Sequence, residues 1–151
     1  KHFLDSSEKE LFLLGEHGFL FEVDGWTLSL AISYDSYYSE HAKTMALSGA
    51  QVYLILGAFI KAGYNKIDSN YFSERALENQ IYIVISNFIG EHSGMTFSGN
   101  SSIYAPDGVL LVSGYQESGI SIGLLEKSKL LNNQDTIPVS ADDIIIELIG
   151  E

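Results

Sequence analysis

The sequence predicts an α/β domain built on a mixed sheet, and three observations support this class. Short runs of apolar and β-branched residues recur along the chain, and two segments with helical spacing lie between them. The pair Asp24-Gly25 follows the first run and is a strong signal for a two-residue hairpin. Strand–helix–strand order favours parallel neighbours, so the sheet should contain both parallel and antiparallel pairs.

The first half of the chain supplies two strands, a helix and a third strand. The predicted strands cover residues 19–23, 26–33 and 51–57, and a polar aromatic turn covers residues 34–38. The second strand is largely apolar, which predicts burial on both faces. Ser39 is the expected N-cap of a helix that continues to about Ser48, and Gly49 is expected to end it as a C′ residue.

The second half continues with a helix and several short strands. We predict one helix, over 70–80, and four strands, over 81–86, 101–105, 109–112 and 119–125. Loops are expected over 59–69 and 87–100. The chain continues with a polar segment over 132–143 and an apolar end at 144–149. Neither a repeat nor a linker divides these elements. We therefore predict one domain over 1–151, with a core over 1–126 and a C-terminal extension over 127–151.

Composition excludes several classes of function. The chain has 151 residues, a formal net charge of −12 and no cysteine. An anionic surface disfavours nucleic-acid and membrane-surface partners, and the absence of cysteine removes disulfides, cysteine-ligated zinc and a cysteine nucleophile. No apolar run approaches membrane-span length and the first residues lack a signal-peptide core, so the cytoplasm is the default expectation.

Ser33 is the first candidate for chemistry. It ends a predicted strand and faces a helix start, which is where open α/β sheets place ligands and where a nucleophile elbow would lie. The alternative is a buried serine bonded to local backbone. A Ser33–His41–Asp35 triad is a poor prediction, because nothing in the sequence directs His41 back towards Ser33.

Other charged groups are ambiguous by spacing alone. Lys1 and Glu8 could be solvated charges, and the helical segment with Arg75 and Glu78 could be a solvated face or part of a buried polar network. The four histidines are scattered without metal-ligand spacing, and phosphate-binding and dinucleotide-binding glycine motifs are absent. We expect no metal and no cofactor.

Several segments, taken in chain order, resemble the motifs of one enzyme family. Lys1-His2-Phe3-Leu4 is similar to a catalytic-lysine segment, residues 8–15 to a segment with a second active-site glutamate, and residues 30–35 to a nucleophile strand that usually has the sequence Ile-Cys-Tyr-Asp. The later matching positions are Glu40-His41-Ala42, Gly49-Ala50, Arg75 to Asn79, Asn87, Gly90, Gly99-Asn100-Ser101 and Pro106-Asp107-Gly108. To about Glu126, the chain resembles the nitrilase superfamily of carbon–nitrogen hydrolases.

The resemblance implies a fold, a reaction and roles for residues. The family fold is a four-layer α–β–β–α sandwich, of which this chain would supply the C-terminal portion. The implied substrates are small molecules with an amide, nitrile or carbamoyl group. Lys1 would stabilise the oxyanion, Glu8 would orient the lysine or the substrate, and Ser33 occupies the nucleophile position. Tyr34 and Asp35 are expected to bind substrate, and the expected structural residues are Arg75, Glu78 and Asn79.

Two departures from the family pattern limit the expected activity. Ser33 stands where the family has cysteine, and the family's general-base glutamate comes from an N-terminal half that precedes the lysine motif. We expect little or no turnover from this chain. A non-catalytic ligand-binding or assembly module is the alternative. Family members associate, so we expect a homo-dimer or higher oligomer, with residues 144–149 paired to another subunit or to a sheet edge.

Overall fold

The fold is a mixed six-stranded sheet with helices on one face, as the sequence predicts. The structure, a computed structural model, describes residues 1–4, 6–61, 70–114 and 118–130 in full, and residues 144–150 as backbone. The strands are β1 (Leu20–Val23), β2 (Trp26–Ile32), β3 (Val52–Gly57), β4 (Tyr82–Asn87), β5 (Ile89–His92), β6 (Met95–Ser98), β7 (Ser102–Tyr104), β8 (Leu110–Ser113), β9 (Gly119–Leu125) and β10 (Ile144–Gly150). The helices are α1 (Ser39–Leu47) and α2 (Tyr71–Asn79).

The main sheet has the order β1-β2-β3-β4-β7-β8. Strands β2, β3 and β4 are parallel, and the other neighbours are antiparallel. Asp24 and Gly25 have φ values of +48° and +76°, as a type I′ hairpin turn requires, which confirms the predicted hairpin. The three parallel strands therefore end at one edge, with Ser33 directly after β2.

Two apolar clusters lie on opposite faces of this sheet. Helices α1 and α2 cover the first face, where Ala42, Met45 and Ala76 pack against strand residues such as Ile55 and Ile83. The second face is centred on Trp26, which is fully buried and makes an edge-on contact with the Tyr82 ring. Burial on both faces explains why β2, β3 and β4 are almost continuously apolar.

The segment predicted as a loop over 87–100 contains a hairpin, so that prediction is wrong. Strands β5 and β6 pair antiparallel around Ser93-Gly94, whose φ values are +49° and +76°. This is the same turn geometry as at Asp24-Gly25. The flanking strands are short and mostly exposed, so they lack the apolar alternation that indicates a strand.

The start of α1 also differs from the prediction. Residues Ser33–Tyr37 form a 3₁₀ helix where a turn was expected, and Tyr38 is the N-cap of α1. Ser39 is the first helical residue, and its hydroxyl donates to the Glu40 carboxylate. Gly49 follows the helix with φ +101°, in agreement with its predicted C′ role.

The apolar end of the chain pairs within the chain. Strand β10 is antiparallel to β9 over its whole length, from Ile144 opposite Leu125 to Gly150 opposite Gly119. The predicted polar segment over 132–143 and most of the predicted loop over 59–69 lie outside the described residues. The single-domain boundaries stay a prediction. Within the described residues, no helix combines the length and apolar character that crossing a bilayer requires.

Candidate active site

Ser33 lies in a strained turn between β2 and the 3₁₀ helix. Its φ is +45°, a left-handed value that is uncommon for residues other than glycine and costs free energy. The Ser36 hydroxyl donates to the Ser33 carbonyl oxygen at 2.7 Å. Ser33 as a residue is half-buried. A strained turn at a strand end is the backbone geometry that exposes a nucleophile.

Lys1 and Glu8 form an ion pair that is shielded from solvent. The Lys1 ammonium donates to Glu8 Oε1, and the two side chains are 14% and 27% exposed. The same ammonium lies 5.9 Å from the centroid of the Tyr34 ring. Because Tyr34 follows Ser33 directly in the chain, this contact brings the lysine to the turn that carries the predicted nucleophile position. The pair is therefore not the fully solvated alternative.

Asp35 joins the N-terminal segment to the end of β2. Its side chain is 2% exposed. Oδ1 accepts hydrogen bonds from the backbone N–H groups of His2 and Phe3, both at 2.8 Å, and Oδ2 accepts one from Ile32 N–H at 3.1 Å. Three backbone donors thus converge on one buried carboxylate.

A layer of rings lies beside this carboxylate. The Phe3 ring stacks on Tyr38 at a centroid distance of 3.8 Å, and the His2 ring meets His41 edge-on at 5.1 Å. His41 Nδ1 is 2.7 Å from the Tyr53 hydroxyl. Burial lowers the pKa of His41 and outweighs the opposing effect of Asp35, while burial raises the pKa of Tyr53. With both groups neutral, the Tyr53 hydroxyl can donate to Nδ1.

These contacts concern the Ser33–His41–Asp35 triad, which is a poor prediction from the sequence. A triad requires the aspartate to hold the histidine and the histidine to hold the serine. Instead, Asp35 accepts from three backbone amides and His41 Nδ1 is engaged by Tyr53. Nothing in the sequence indicates the Tyr53 contact, because it joins residues on different elements.

The residues expected to be structural lie on α2. Arg75 Nη2 donates to Glu78 Oε1 at 2.8 Å, with Glu78 exposed, and Asn79 Nδ2 donates to the Arg75 carbonyl oxygen at 2.8 Å. The Arg75 guanidinium also lies 5.1 Å from the Tyr71 ring centroid. Tyr71 in turn donates its hydroxyl proton to the Ser36 carbonyl oxygen, which ties α2 to the 3₁₀ helix after Ser33.

Sequence reasoning missed the structural role of Asn87. Its Oδ1 accepts from Phe59 N–H at 2.9 Å, and its Nδ2 donates to Ser98 Oγ at 2.9 Å and to the Gly99 carbonyl oxygen. The side chain therefore ties the β5–β6 hairpin to the ends of β3 and β4. Among the residues that the structure describes, no three histidine, aspartate or glutamate side chains form a group that could hold a metal ion.

Comparison with known proteins gives a consistent result. The family model for carbon–nitrogen hydrolases matches residues 3–130. A protein described as a hydrolase in the pqqF 5′ region of Pseudomonas protegens is 32% identical over 95% of this chain and 53% of its own length. The 2-oxoglutaramate amidase of Bacillus subtilis is 28% identical over 93% of this chain and 54% of its own length.

A solved structure extends this similarity to the fold. The amidase from Nesterenkonia sp. AN1, in a variant with acrylamide added at its active-site cysteine, superposes with a TM-score of 0.70 at 29% identity. The match covers 77% of this chain and 46% of that amidase. The chain thus spans about half the length of the curated relatives and of the solved structure that it matches.

Proposed function

Because the chain belongs to the carbon–nitrogen hydrolase family of the nitrilase superfamily, we propose that Lys1, Glu8 and residue 33 form its reaction centre for amide-type substrates. At the family level this is a hydrolase of C–N bonds, with amidase and nitrilase relatives. The proposal assigns the bond to a small amide, nitrile or carbamoyl compound. One observation carries it: the Lys1–Glu8 pair lies beside the residue that follows the strained Ser33.

The proposed chemistry is acyl transfer through a covalent intermediate. The group at position 33 attacks the carbon of the C–N bond, and its proton passes to a general base. In the family this base is a glutamate that precedes the lysine motif. The Lys1 ammonium stabilises the negative oxygen that develops, and Glu8 holds the lysine at that point. With an amide or carbamoyl substrate, the general base returns its proton to the nitrogen, the amine leaves, and water then releases the acyl group. With a nitrile, water must first add to the carbon–nitrogen double bond left after the attack, and ammonia leaves from that intermediate.

Serine at position 33 should make this chemistry slow. A thiol has a pKa of about 8.5, which a nearby cation lowers into a useful range. An alkanol hydroxyl is much less acidic, and its shorter bond to carbon leaves the oxygen short of the reacting atom. A misplacement of about 1 Å can by itself cost roughly 10²-fold in rate. We propose that the present form has little or no turnover.

Ser33→Cys in the intact protein that carries this sequence tests the proposal. We expect ammonia release from a panel of short amides, nitriles and carbamoyl compounds to rise by at least about 10²-fold. Ser36→Cys is the matched control, because it places a thiol in the same 3₁₀ helix without the left-handed backbone. Lys1→Met in the Ser33→Cys protein should remove the gain.

Two results would contradict this assignment. The first is a folded Ser33→Cys protein that hydrolyses nothing in the panel. The second is turnover that survives Lys1→Met, since the oxyanion would then be stabilised elsewhere.

A non-catalytic module is the second candidate, and Ser33 itself favours it. In this case the unaltered protein binds an amide measurably by calorimetry, and Ser33→Cys adds no turnover. We also propose association into a homo-dimer or larger assembly, which sedimentation measures, and residence in the cytoplasm, which cell fractionation measures. The proposed association follows the family resemblance.

A further inference from the structure

We infer that Asp35 is a positioning residue, whose buried carboxylate holds the Lys1 ammonium in register with residue 33. This inference rests on the proposed function and adds to it a residue that acts through its neighbours. The evidence is the set of three backbone donors on Asp35, from His2, Phe3 and Ile32.

The donors adjoin two of the three members of the proposed reaction centre, Lys1 and residue 33. His2 follows Lys1 directly, and Ile32 precedes Ser33 directly. One carboxylate therefore bridges two segments that are more than thirty residues apart in sequence. Breaking any one of the three bonds would leave a backbone N–H beside a buried side chain without its acceptor, which costs free energy, so the carboxylate fixes the spacing of the two segments. A shift of Asp35 would displace the lysine relative to position 33.

Other contacts keep the N-terminal segment attached when Asp35 is changed. The Phe3 ring stacks on Tyr38, and Gly15 N–H donates to the Lys1 carbonyl oxygen at 2.8 Å. Loss of the carboxylate should therefore alter the placement of Lys1 and not release the segment. This separates a positioning role from a role in folding alone.

The geometry favours positioning over the substrate-binding role that the sequence indicates for Asp35. The side chain is 2% exposed, and three main-chain amides occupy its two oxygens. Because the side chain is buried, a substrate group could reach it only by opening the packing around these backbone hydrogen bonds, which is unfavourable. Tyr34, which is half-buried and lies under the Lys1 ammonium, is more accessible to a substrate.

The experiment compares Asp35→Asn and Asp35→Ala in the Ser33→Cys protein. Asparagine keeps one oxygen for His2 and Phe3 N–H but turns an amide NH₂ towards Ile32 N–H, whereas alanine removes every acceptor. Asp107→Asn is the matched control, because Asp107 also accepts a backbone N–H, from Val109, in an exposed turn. The readouts are kcat and KM for the best amide, and the pH dependence of alkylation of the introduced thiol by acrylamide.

We expect Asp35→Asn to lower kcat by about 10-fold to 10²-fold with KM nearly unchanged, and Asp35→Ala to lower it further. The alkylation midpoint should move up towards about pH 8.5, because the thiolate loses a fixed ammonium nearby. Asp107→Asn should change neither readout.

The outcomes separate this inference from the proposed function. If the Ser33→Cys protein has no turnover, the proposed function fails, but a midpoint that depends on Asp35 still supports positioning. An Asp35→Asn protein that raises KM alone indicates substrate binding and overturns the inference. So does a folded variant with both readouts unchanged, and so does a variant that fails to fold, because the carboxylate would then serve the fold alone.

Discussion

Replacing Asn87 by alanine should destabilise the fold by removing one buried amide with several partners. Asn87 is 4% exposed and connects Phe59 N–H, Ser98 Oγ and the Gly99 carbonyl oxygen. It is the point at which the β5–β6 hairpin is fastened to the ends of the parallel strands. The substitution Asn87→Ala deletes all three side-chain bonds but leaves the backbone bond from Asn87 N–H to Ser101 Oγ.

The magnitude follows from which partners are left without a bond. Ser98 keeps an acceptor for its hydroxyl, the Phe59 carbonyl oxygen at 3.0 Å. Phe59 N–H loses its Asn87 bond at a buried position. The Gly99 carbonyl oxygen keeps only a long 3.4 Å contact to Ser98 Oγ, whose one proton goes to the closer Phe59 carbonyl oxygen. An unsatisfied buried group costs about 1–3 kcal/mol, so two such groups predict a loss of about 2–6 kcal/mol in the free energy of unfolding. We expect a value near the middle of this range, because partial collapse of the loop would restore part of the hydrogen bonding.

Urea unfolding followed by circular dichroism measures this loss as a lower midpoint at an unchanged slope. Asn79→Ala is the matched control. It removes a single bond, to the Arg75 carbonyl oxygen on a half-exposed helix end, and should cost less than about 1 kcal/mol because water replaces the amide. A loss for Asn87→Ala no larger than that for Asn79→Ala would refute the accounting of buried partners.

Two further predictions concern a titrating group and a tight packing contact. Burial lowers the pKa of His41 below 6.5, so the unfolded chain takes up its proton first and stability is lost as pH falls below about 6.5. Unfolding measured between about pH 7 and pH 5 should show a shallower pH dependence for His41→Gln than for the unaltered protein. Equal slopes for the two proteins would contradict this. In β9, a Cβ on Gly123 would lie 2.6 Å from Ile103 Cδ1, and one on Gly119 would meet nothing within 4 Å. Gly123→Ala should therefore lower the thermal midpoint, with a cost of about 1–3 kcal/mol from overpacking, and Gly119→Ala should not; an unchanged midpoint for both would show that Ile103 moves aside freely.

Local pattern was enough to place most elements of the sheet and its helices. The Asp24-Gly25 turn, the strands β2 to β4 and both helices lie where composition and spacing predict them, because each depends on neighbours within a few residues. The β5–β6 hairpin was missed, although Ser93-Gly94 is itself a turn signal. Short exposed strands show no alternation of apolar and polar residues. In such a segment the turn residues predict a hairpin better than the hydrophobic pattern does.

The sequence by itself determined the family resemblance, the order of the strands and helices apart from the β5–β6 hairpin, and the position of Ser33 at the end of a buried strand. The tertiary structure decided which groups meet there. Asp35 finds two of its three donors, His2 and Phe3 N–H, more than thirty residues away, and His41 meets Tyr53 across two elements. Such pairs depend on how strands and segments approach in space, and no periodicity along the chain encodes that approach. Spacing alone therefore left Lys1 and Glu8 as two ambiguous charges, whereas the folded chain makes them an ion pair beside the Ser33 turn.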